Sequence, residues 1–189
     1  NIISNNNITV SDSASNGIDN SGSSISSNTI SSNIIKITNG NADTDGIELT
    51  GGNHLINSNQ ITISGGTGYG IRVTASSNIL DNNTIVTSVA NYGIYFSSVT
   101  NNTLTNNSVN SSQSQSYVIY GTTIAHYNQS IDSSNLAEGK PVNYTFNGGH
   151  YNYEDTCHGI SQLKEWYCEN NLSKSTFHSC LSTQICKNG

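Results

Sequence analysis

The sequence has no methionine, one proline, one tryptophan and six basic residues among its 189. Twelve acidic residues against these six give a net charge of −6, and no basic cluster occurs, so the chain lacks a surface that could neutralise nucleic-acid phosphates. No apolar run approaches the roughly 18 residues that a membrane-spanning helix requires. The chain shows no signal peptide, which together with the missing initiator methionine indicates a processed mature chain or an excised segment. We therefore expect neither nucleic acid nor a membrane span.

Asparagine, serine, threonine and glycine dominate the composition, yet aliphatic residues recur among them at fixed spacing. Five asparagines, separated by 27, 26, 24 and 24 residues, mark a solenoid period. They are Asn6, Asn33, Asn59, Asn83 and Asn107. A β-branched aliphatic residue follows each of them by two positions: Ile8, Ile35, Ile61, Ile85 and Val109. Three positions before each stands isoleucine or leucine: Ile3, Ile30, Ile56, Leu80 and Leu104.

A glycine-isoleucine pair follows the loop in four of the five repeats. The pairs are Gly17-Ile18, Gly46-Ile47, Gly70-Ile71 and Gly93-Ile94, and we align Tyr117-Val118 with them in the fifth repeat. Each repeat then contains three short strands whose apolar face it cannot bury alone, so the repeats must stack. The sequence predicts an all-β fold, a right-handed parallel β-helix of about five coils of 23–29 residues, over residues 1–127.

Polar side chains at the turns are expected to form ladders along the axis. An amide side chain both donates and accepts hydrogen bonds, so the five repeated asparagines can bond from coil to coil. A second polar column consists of Asn1, Asn28, His54, Asn78 and Asn102. Because His54 has no acidic or histidine partner nearby in sequence, we predict that it replaces asparagine in this ladder and has no catalytic or ligand role.

A further column, one position after each glycine-isoleucine pair, is expected to point outward. It consists of Asp19, Glu48, Arg72, Tyr95 and Ile119. Glu48 and Arg72 occupy adjacent coils in this column, so they are predicted to form an ion pair at the surface. Such a pair is worth about 0.2–1 kcal/mol and does not require a functional explanation.

The composition changes near residue 127, after which the only proline, the only tryptophan and all the cysteines occur. Residues 128–150 contain Gly139-Lys140-Pro141 between apolar positions, which predicts a turn and a strand that cap the last coil. Residues 151–189 form a small C-terminal annex. Within it, residues 161–171 fit a helix with Ser161 as N-cap and, almost equally well, a strand.

The four cysteines all lie in this annex: Cys157, Cys168, Cys180 and Cys186. Their spacings match none of the usual zinc-ligand patterns, so we favour disulfides, which would staple the annex in an oxidising compartment. Zinc, with His158 as a further ligand, is the alternative. Of the three possible pairings, we prefer Cys157 with Cys168 and Cys180 with Cys186, because these close short loops.

Eight Asn-x-Ser/Thr sequons are candidates for glycosylation and suit an extracellular protein. They begin at Asn7, Asn82, Asn101, Asn106, Asn110, Asn128, Asn143 and Asn171. In a chain this rich in asparagine, serine and threonine, many sequons arise by chance, so they add only weak support for this location.

The phrases Asn-Asn-Thr-Ile at 82–85, Gly-Ile-Tyr-Phe-Ser-Ser at 93–98 and Thr-Asn-Asn-Thr-Leu at 100–104 resemble the repeats of the NosD-like right-handed parallel β-helices. The resemblance covers residues 1–127 and implies a secreted surface protein. Residues 131–135 and 139–142 resemble a segment that follows such repeats in archaeal members, and residues 163–168 resemble a Cys-rich module of archaeal secreted proteins. This solenoid serves metal-site maturation factors, sugar-cleaving enzymes and structural surface proteins alike, so the site must decide the function.

We predict no catalytic residue, no metal site and no cofactor. Polysaccharide-cleaving β-helices place several carboxylates on one face of adjacent coils, whereas the acids here are sparse. Asp43, Asp45 and Glu48 form the only local group, with Asp19 one coil away, and we expect a solvated loop there in preference to a weak calcium site. Copper handling requires clustered ligands, but the histidines are dispersed at positions 54, 126, 150, 158 and 178.

Shape then becomes the main functional clue. Asn1-Ile2-Ile3 enters the first coil without a capping element, and an open β-helix end invites head-to-tail stacking of subunits into a filament. We therefore predict an extracellular structural protein that is not an enzyme, a subunit of a cell-surface filament or surface layer, with a second copy of itself as partner. The alternative is an adhesin, or a module that binds or cleaves cell-surface glycans, for which Tyr69, Tyr92 and Tyr95 are the best candidates.

Overall fold

The computed structural model describes residues 1–11, 15–20, 27–38, 44–88, 92–111, 116–147, 150–151, 156–158, 162–169 and 172–179. For Ile124, Tyr127 and all residues from 143 onward it describes only the backbone. The disulfides predicted for Cys157, Cys168, Cys180 and Cys186 therefore lie outside the described side chains.

Three families of short parallel strands stack coil upon coil, and together they form a β-helix of about five turns. The first family contains β1 (Ile2–Ser4), β4 (Thr29–Ser31), β7 (Leu55–Asn57), β10 (Ile79–Asp81) and β13 (Thr103–Thr105). The second contains β2 (Asn7–Val10), β5 (Ile34–Ile37), β8 (Gln60–Ile63), β11 (Thr84–Thr87) and β14 (Ser108–Ser111). The third contains β3 (Ile18–Asn20), β6 (Ile47–Leu49), β9 (Ile71–Val73), β12 (Ile94–Ser97) and β15 (Tyr117–Tyr120).

The core consists of aliphatic columns, because alternate residues of the strands in the middle coils point inward. Equivalent residues pair from coil to coil in register: Ile30 with Ile56, for example, and Ile61 with Ile85. The columns predicted around the repeated asparagines are buried at Ile30, Ile35, Ile56, Ile61, Leu80, Ile85, Leu104 and Val109. Burying such a side chain contributes roughly 1.5–3 kcal/mol relative to leaving it exposed, so stacking stabilises the fold.

The predicted asparagine ladder is present at the turn between the first two families. The Nδ2 of Asn6 donates to the Oδ1 of Asn33 at 3.0 Å, and the same bond repeats through Asn59, Asn83 and Asn107. The backbone N–H of each residue also donates to the next Oδ1, at 3.0 to 3.1 Å. The ladder then extends one rung further to Asn135, which the sequence alignment missed.

His54 is a rung of the second ladder, as predicted. Its backbone N–H donates to the Oδ1 of Asn78 at 2.9 Å, and its Nδ1 accepts the backbone N–H of Asn28 at 3.1 Å. Because Nδ1 accepts, the neutral ring carries its proton on Nε2. Nε2 lies 3.0 Å from the Nδ2 of Asn20, so this contact is a hydrogen bond when the Asn20 amide turns its oxygen towards the ring. The imidazole is almost completely buried, and this burial lowers the pKa of His54 below its ordinary value.

We expect His54 to make the fold acid-sensitive. Protonation would put a donor on Nδ1 against the Asn28 N–H, which opposes protonation of the folded chain. Between the unfolded pKa of about 6.5 and the lowered folded pKa, the unfolded chain therefore binds more protons than the folded chain. Stability is therefore full above pH about 6.5 and falls as the pH drops towards the lowered folded pKa. Asparagine occupies the same position in four other coils. His54→Asn should therefore weaken the dependence of the urea midpoint on pH between 7.5 and 5, and an unchanged dependence would contradict this assignment.

The fifth coil departs by one residue from the predicted alignment. Tyr117 pairs with Ile94, so Val118, and not Ile119, continues the outward column after Tyr95. Ser116 therefore stands where the other coils have glycine. A side chain is tolerated there because β15 is the last strand of its sheet in the described part of the chain, and no following coil packs against it.

Residues beyond Tyr120 close the end of the described stack. A 3₁₀ turn (Ile124–Tyr127) leads into β16 (Ser130–Ala137), which pairs in parallel with both β13 and β14. β16 then forms the predicted turn and strand with β17 (Lys140–Asn147), an antiparallel hairpin to which β18 (His150–Tyr151) adds. Gln129 and Asn135 on this segment accept hydrogen bonds from the last rungs of the two ladders.

The annex forms an antiparallel sheet of β19 (Thr156–His158), β20 (Gln162–Glu169) and β21 (Leu172–Ser179). The helix alternative for residues 161–171 was wrong, since most of this segment is strand β20. Cys157 on β19 lies opposite Leu163 on β20. Cys168 lies on β20 as well, five residues further along the strand than Leu163. That separation is roughly 16 Å, whereas a disulfide requires Cα atoms within about 7 Å, so the register argues against joining Cys157 to Cys168.

Candidate functional site

Two adjacent columns of polar and aromatic residues lie on the third strand family. The first column, immediately before the repeated glycine, contains Asn16, Asp45, Tyr69 and Tyr92. The second, three positions later in each coil, contains Asp19, Glu48, Arg72 and Tyr95. Equivalent strands lie about 4.8 Å apart in a sheet, so the repeat period alone gathers these side chains on one surface.

Three tyrosines of these columns pack against one another, and we call Tyr69, Tyr92 and Tyr95 the tyrosine patch. The rings of Tyr69 and Tyr95 stack with their centroids 4.5 Å apart and their planes 16° from parallel. Tyr92 lies 5.7 Å from Tyr69 and 5.9 Å from Tyr95, again nearly parallel to both. Each such pair contributes about 0.5–1.5 kcal/mol beyond its buried area, so the patch is a rigid aromatic surface.

Arg72 connects the tyrosine patch to two carboxylates. Its guanidinium carbon lies 5.7 Å from the ring centroid of Tyr69, in cation–π range. Its Nη1 lies 3.6 Å from Glu48 and 3.9 Å from Asp45. The predicted cross-strand pair of Glu48 and Arg72 is confirmed. Asp45, which the sequence analysis placed in a solvated loop, is a second acidic partner of Arg72.

The prediction of a solvated acidic loop was wrong for Asp45. Its side chain has 0 % exposure, and its Oδ1 accepts the backbone N–H of Tyr69 at 2.8 Å. The backbone N–H of Asp45 in turn donates to the Oδ1 of Asn16, whose Nδ2 donates to Glu48 at 2.7 Å. The carboxylate is therefore part of the internal framework that holds the loop before β9.

The rims of the tyrosine patch remain available to a ligand. All three rings are only partly buried. The hydroxyl groups of Tyr92 and Tyr95 make no hydrogen bond within the part of the chain that the structure describes. A phenol hydroxyl both donates and accepts, so two such groups beside fixed rings can bind a polar molecule that also has an apolar face.

The described residues contain no group of three or more histidine, cysteine or acidic side chains that could hold a metal ion. Of the group considered for calcium, Asp43 lies outside the described residues, while Asp45 and Glu48 both lie close to Arg72. A nearby guanidinium disfavours a calcium ion at these oxygens.

The predicted glycosylation sites lie on the surface wherever their side chains are described. Asn7, Asn82, Asn101, Asn106, Asn110 and Asn128 are exposed. The side chains of Asn143 and Asn171 lie outside the described part, so those two sites stay predictions without a structural context. Modification of any of the eight remains a prediction.

Sequence reasoning listed the three tyrosines but did not unite them with Asp45 and Arg72. The signal was available, because Asp45, Tyr69 and Tyr92 each stand immediately before a repeated glycine. Aligning that position as a column of its own would have placed them on neighbouring coils.

No protein-family model, no curated protein and no solved structure matches this chain. Among the residues described, no helix has the length and apolar character needed to cross a membrane.

Proposed function

We propose that this chain is a carbohydrate-binding β-helix module of an extracellular surface protein of the NosD-like type, and that it acts in adhesion to glycans. The stacking of Tyr69, Tyr92 and Tyr95 into one partly exposed aromatic surface carries the proposal. Aromatic residues on a mostly polar coil surface are typical of contact sites.

The physical match is with a sugar ring. A pyranose offers C–H groups on its face, which pack on aromatic surfaces, and hydroxyl groups at its edge, which exchange hydrogen bonds with phenol hydroxyls. The patch is supported by Arg72, which packs on the ring of Tyr69, by Asp45, which accepts the Tyr69 backbone N–H, and by the paired strands β9 and β12. A rigid surface loses little side-chain entropy when it binds, which favours measurable affinity from a small contact.

The proposal is for binding and not for cleavage. Asp45 is buried, and Glu48, 3.6 Å from Arg72, accepts a hydrogen bond from Asn16. Both carboxylates thus have structural partners. A general acid or base would need free access to the glycosidic oxygen or to water. The head-to-tail filament predicted from the sequence stays a prediction beside this one.

Replacing all three tyrosines with alanine should weaken polysaccharide binding at least tenfold, about 1.4 kcal/mol, as measured by affinity electrophoresis or calorimetry over a panel of polysaccharides. Tyr120→Ala is the matched control, because Tyr120 lies on the same sheet, is 54 % exposed and lies outside the stack. Equal losses in the triple variant and in the control would sink the proposal.

Tyr92→Phe combined with Tyr95→Phe separates ring contact from hydrogen bonding, because the rings still stack while both hydroxyls are lost. We expect a smaller loss of affinity than in the alanine variant and an unchanged urea midpoint. If neither variant changes binding of any sugar while both lower the urea midpoint, the stack serves the fold alone.

A further inference from the structure

The tyrosine patch stands in an acidic setting. The outward column that leads to it contains Glu48, one coil from Tyr69, and Asp19, two coils from Tyr69, while the buried Asp45 accepts the backbone N–H of Tyr69. Against these three acidic residues stands one basic residue, Arg72. No other strand of the third family, β3, β6, β12 or β15, contains a cationic residue.

Arg72 is already engaged. Its guanidinium lies 3.6 Å from Glu48 and 3.9 Å from Asp45, and its side chain is 31 % exposed. Proteins recognise carboxylate and sulfate groups mainly through arginine donors that are free to form paired hydrogen bonds. The one cation at this surface is compensated twice over, so it offers little to an anionic ligand.

The groups that remain for a ligand are neutral. They are the partly exposed rings of the tyrosine patch and the hydroxyls of Tyr92 and Tyr95. We infer that the patch takes uncharged polysaccharide and rejects acidic polysaccharide, an inference that rests on the carbohydrate-binding function proposed above. An acidic chain lying along the coils would place its charges within a Debye length, about 8–10 Å, of Asp19 and Glu48.

Matched pairs of polymers test this selectivity on the full chain. Each pair joins a neutral polymer to an acidic counterpart: fully methyl-esterified polygalacturonate with polygalacturonate, hydroxyethylcellulose with carboxymethylcellulose, and dextran with dextran sulfate. We expect at least one neutral polymer to bind and its acidic counterpart to bind at least tenfold more weakly, a ratio that shrinks as salt is added. Equal or tighter binding of the acidic member overturns the selectivity but leaves carbohydrate binding in place. Failure of all six polymers overturns both.

A charge variant tests whether the rejection is local. Asp19→Asn removes one exposed negative charge from the outward column that an acidic chain along the coils would cross, two coils from Tyr69, and should raise the affinity for the acidic polymer several-fold while leaving the neutral polymer unaffected. Asp132→Asn is the charge-matched control on β16, outside the third strand family. An equal gain in both variants would mean that only the net charge of the whole chain matters, and it would overturn the local assignment.

Discussion

Replacing Asn83 with alanine is expected to lower the free energy of unfolding by about 3–5 kcal/mol, because it leaves several buried polar groups unpaired at once. The Oδ1 of Asn83 accepts both the backbone N–H and the Nδ2 of Asn59, at 3.1 and 3.0 Å. Its Nδ2 donates to the carbonyl oxygen of Ile56 and to the Oδ1 of Asn107, each at 2.9 Å. Every one of these residues is fully buried.

Chemical denaturation followed by circular dichroism measures this loss, with Asn110→Ala as the control. Asn110 is an exposed asparagine on the neighbouring strand β14, so its replacement should change the free energy of unfolding by less than about 0.5 kcal/mol. Asn83→Asp should be at least as damaging as Asn83→Ala, because it keeps the acceptors but buries a charge and removes the donor. A loss below 1 kcal/mol for Asn83→Ala would show that the ladder is dispensable at this rung.

The strand families and the ladder could be predicted because a solenoid repeats its environment. An inward isoleucine and a turn asparagine have the same kinds of neighbours in every coil, so the same residue type is favoured at the same spacing. The prediction stopped at Asn107 because the spacing changes there: Ile131 and Asn135 are four positions apart, whereas Leu104 and Asn107 are three. The ladder bond survives this insertion, but the sequence pattern does not.

The candidate site was harder to predict because residues outside the aliphatic columns are under no common packing constraint. Asp45 and Tyr69 occupy the same slot of adjacent coils and yet differ in size, charge and burial. Their contact depends on a third residue, Arg72, in another column. The alignment of the fifth coil was wrong for a related reason. Ser116 stands where the other coils have glycine, so the residue that marks the register is missing there.

Replacing Gly70 with alanine is the second large effect expected, a loss of about 3 kcal/mol in the free energy of unfolding. A Cβ at this position would lie 2.5 Å from the carbonyl oxygen of Gly93 in the next coil and 2.5 Å from the Cγ2 of Ile85. Neither neighbour can retreat, because Gly93 is held by the sheet and Ile85 is fully buried in the core. The two coils would have to separate locally, which lengthens the hydrogen bond from Ile71 N–H to the Gly93 oxygen, 2.9 Å in the native fold.

Gly139→Ala distinguishes this steric effect from the general effect of losing a glycine. Gly139 has φ of +75° and nothing within 4 Å of an added Cβ, so the substitution costs only backbone strain, about 1–2 kcal/mol. In thermal unfolding, Gly70→Ala should therefore have a clearly lower midpoint temperature than Gly139→Ala. The reverse order would mean that the coils can slide apart without penalty, and the glycine column would then have no part in setting the coil spacing. The same column explains why a side chain is found at Ser116, because among the described residues β15 is the end strand of its sheet and no further coil of this family stacks on it.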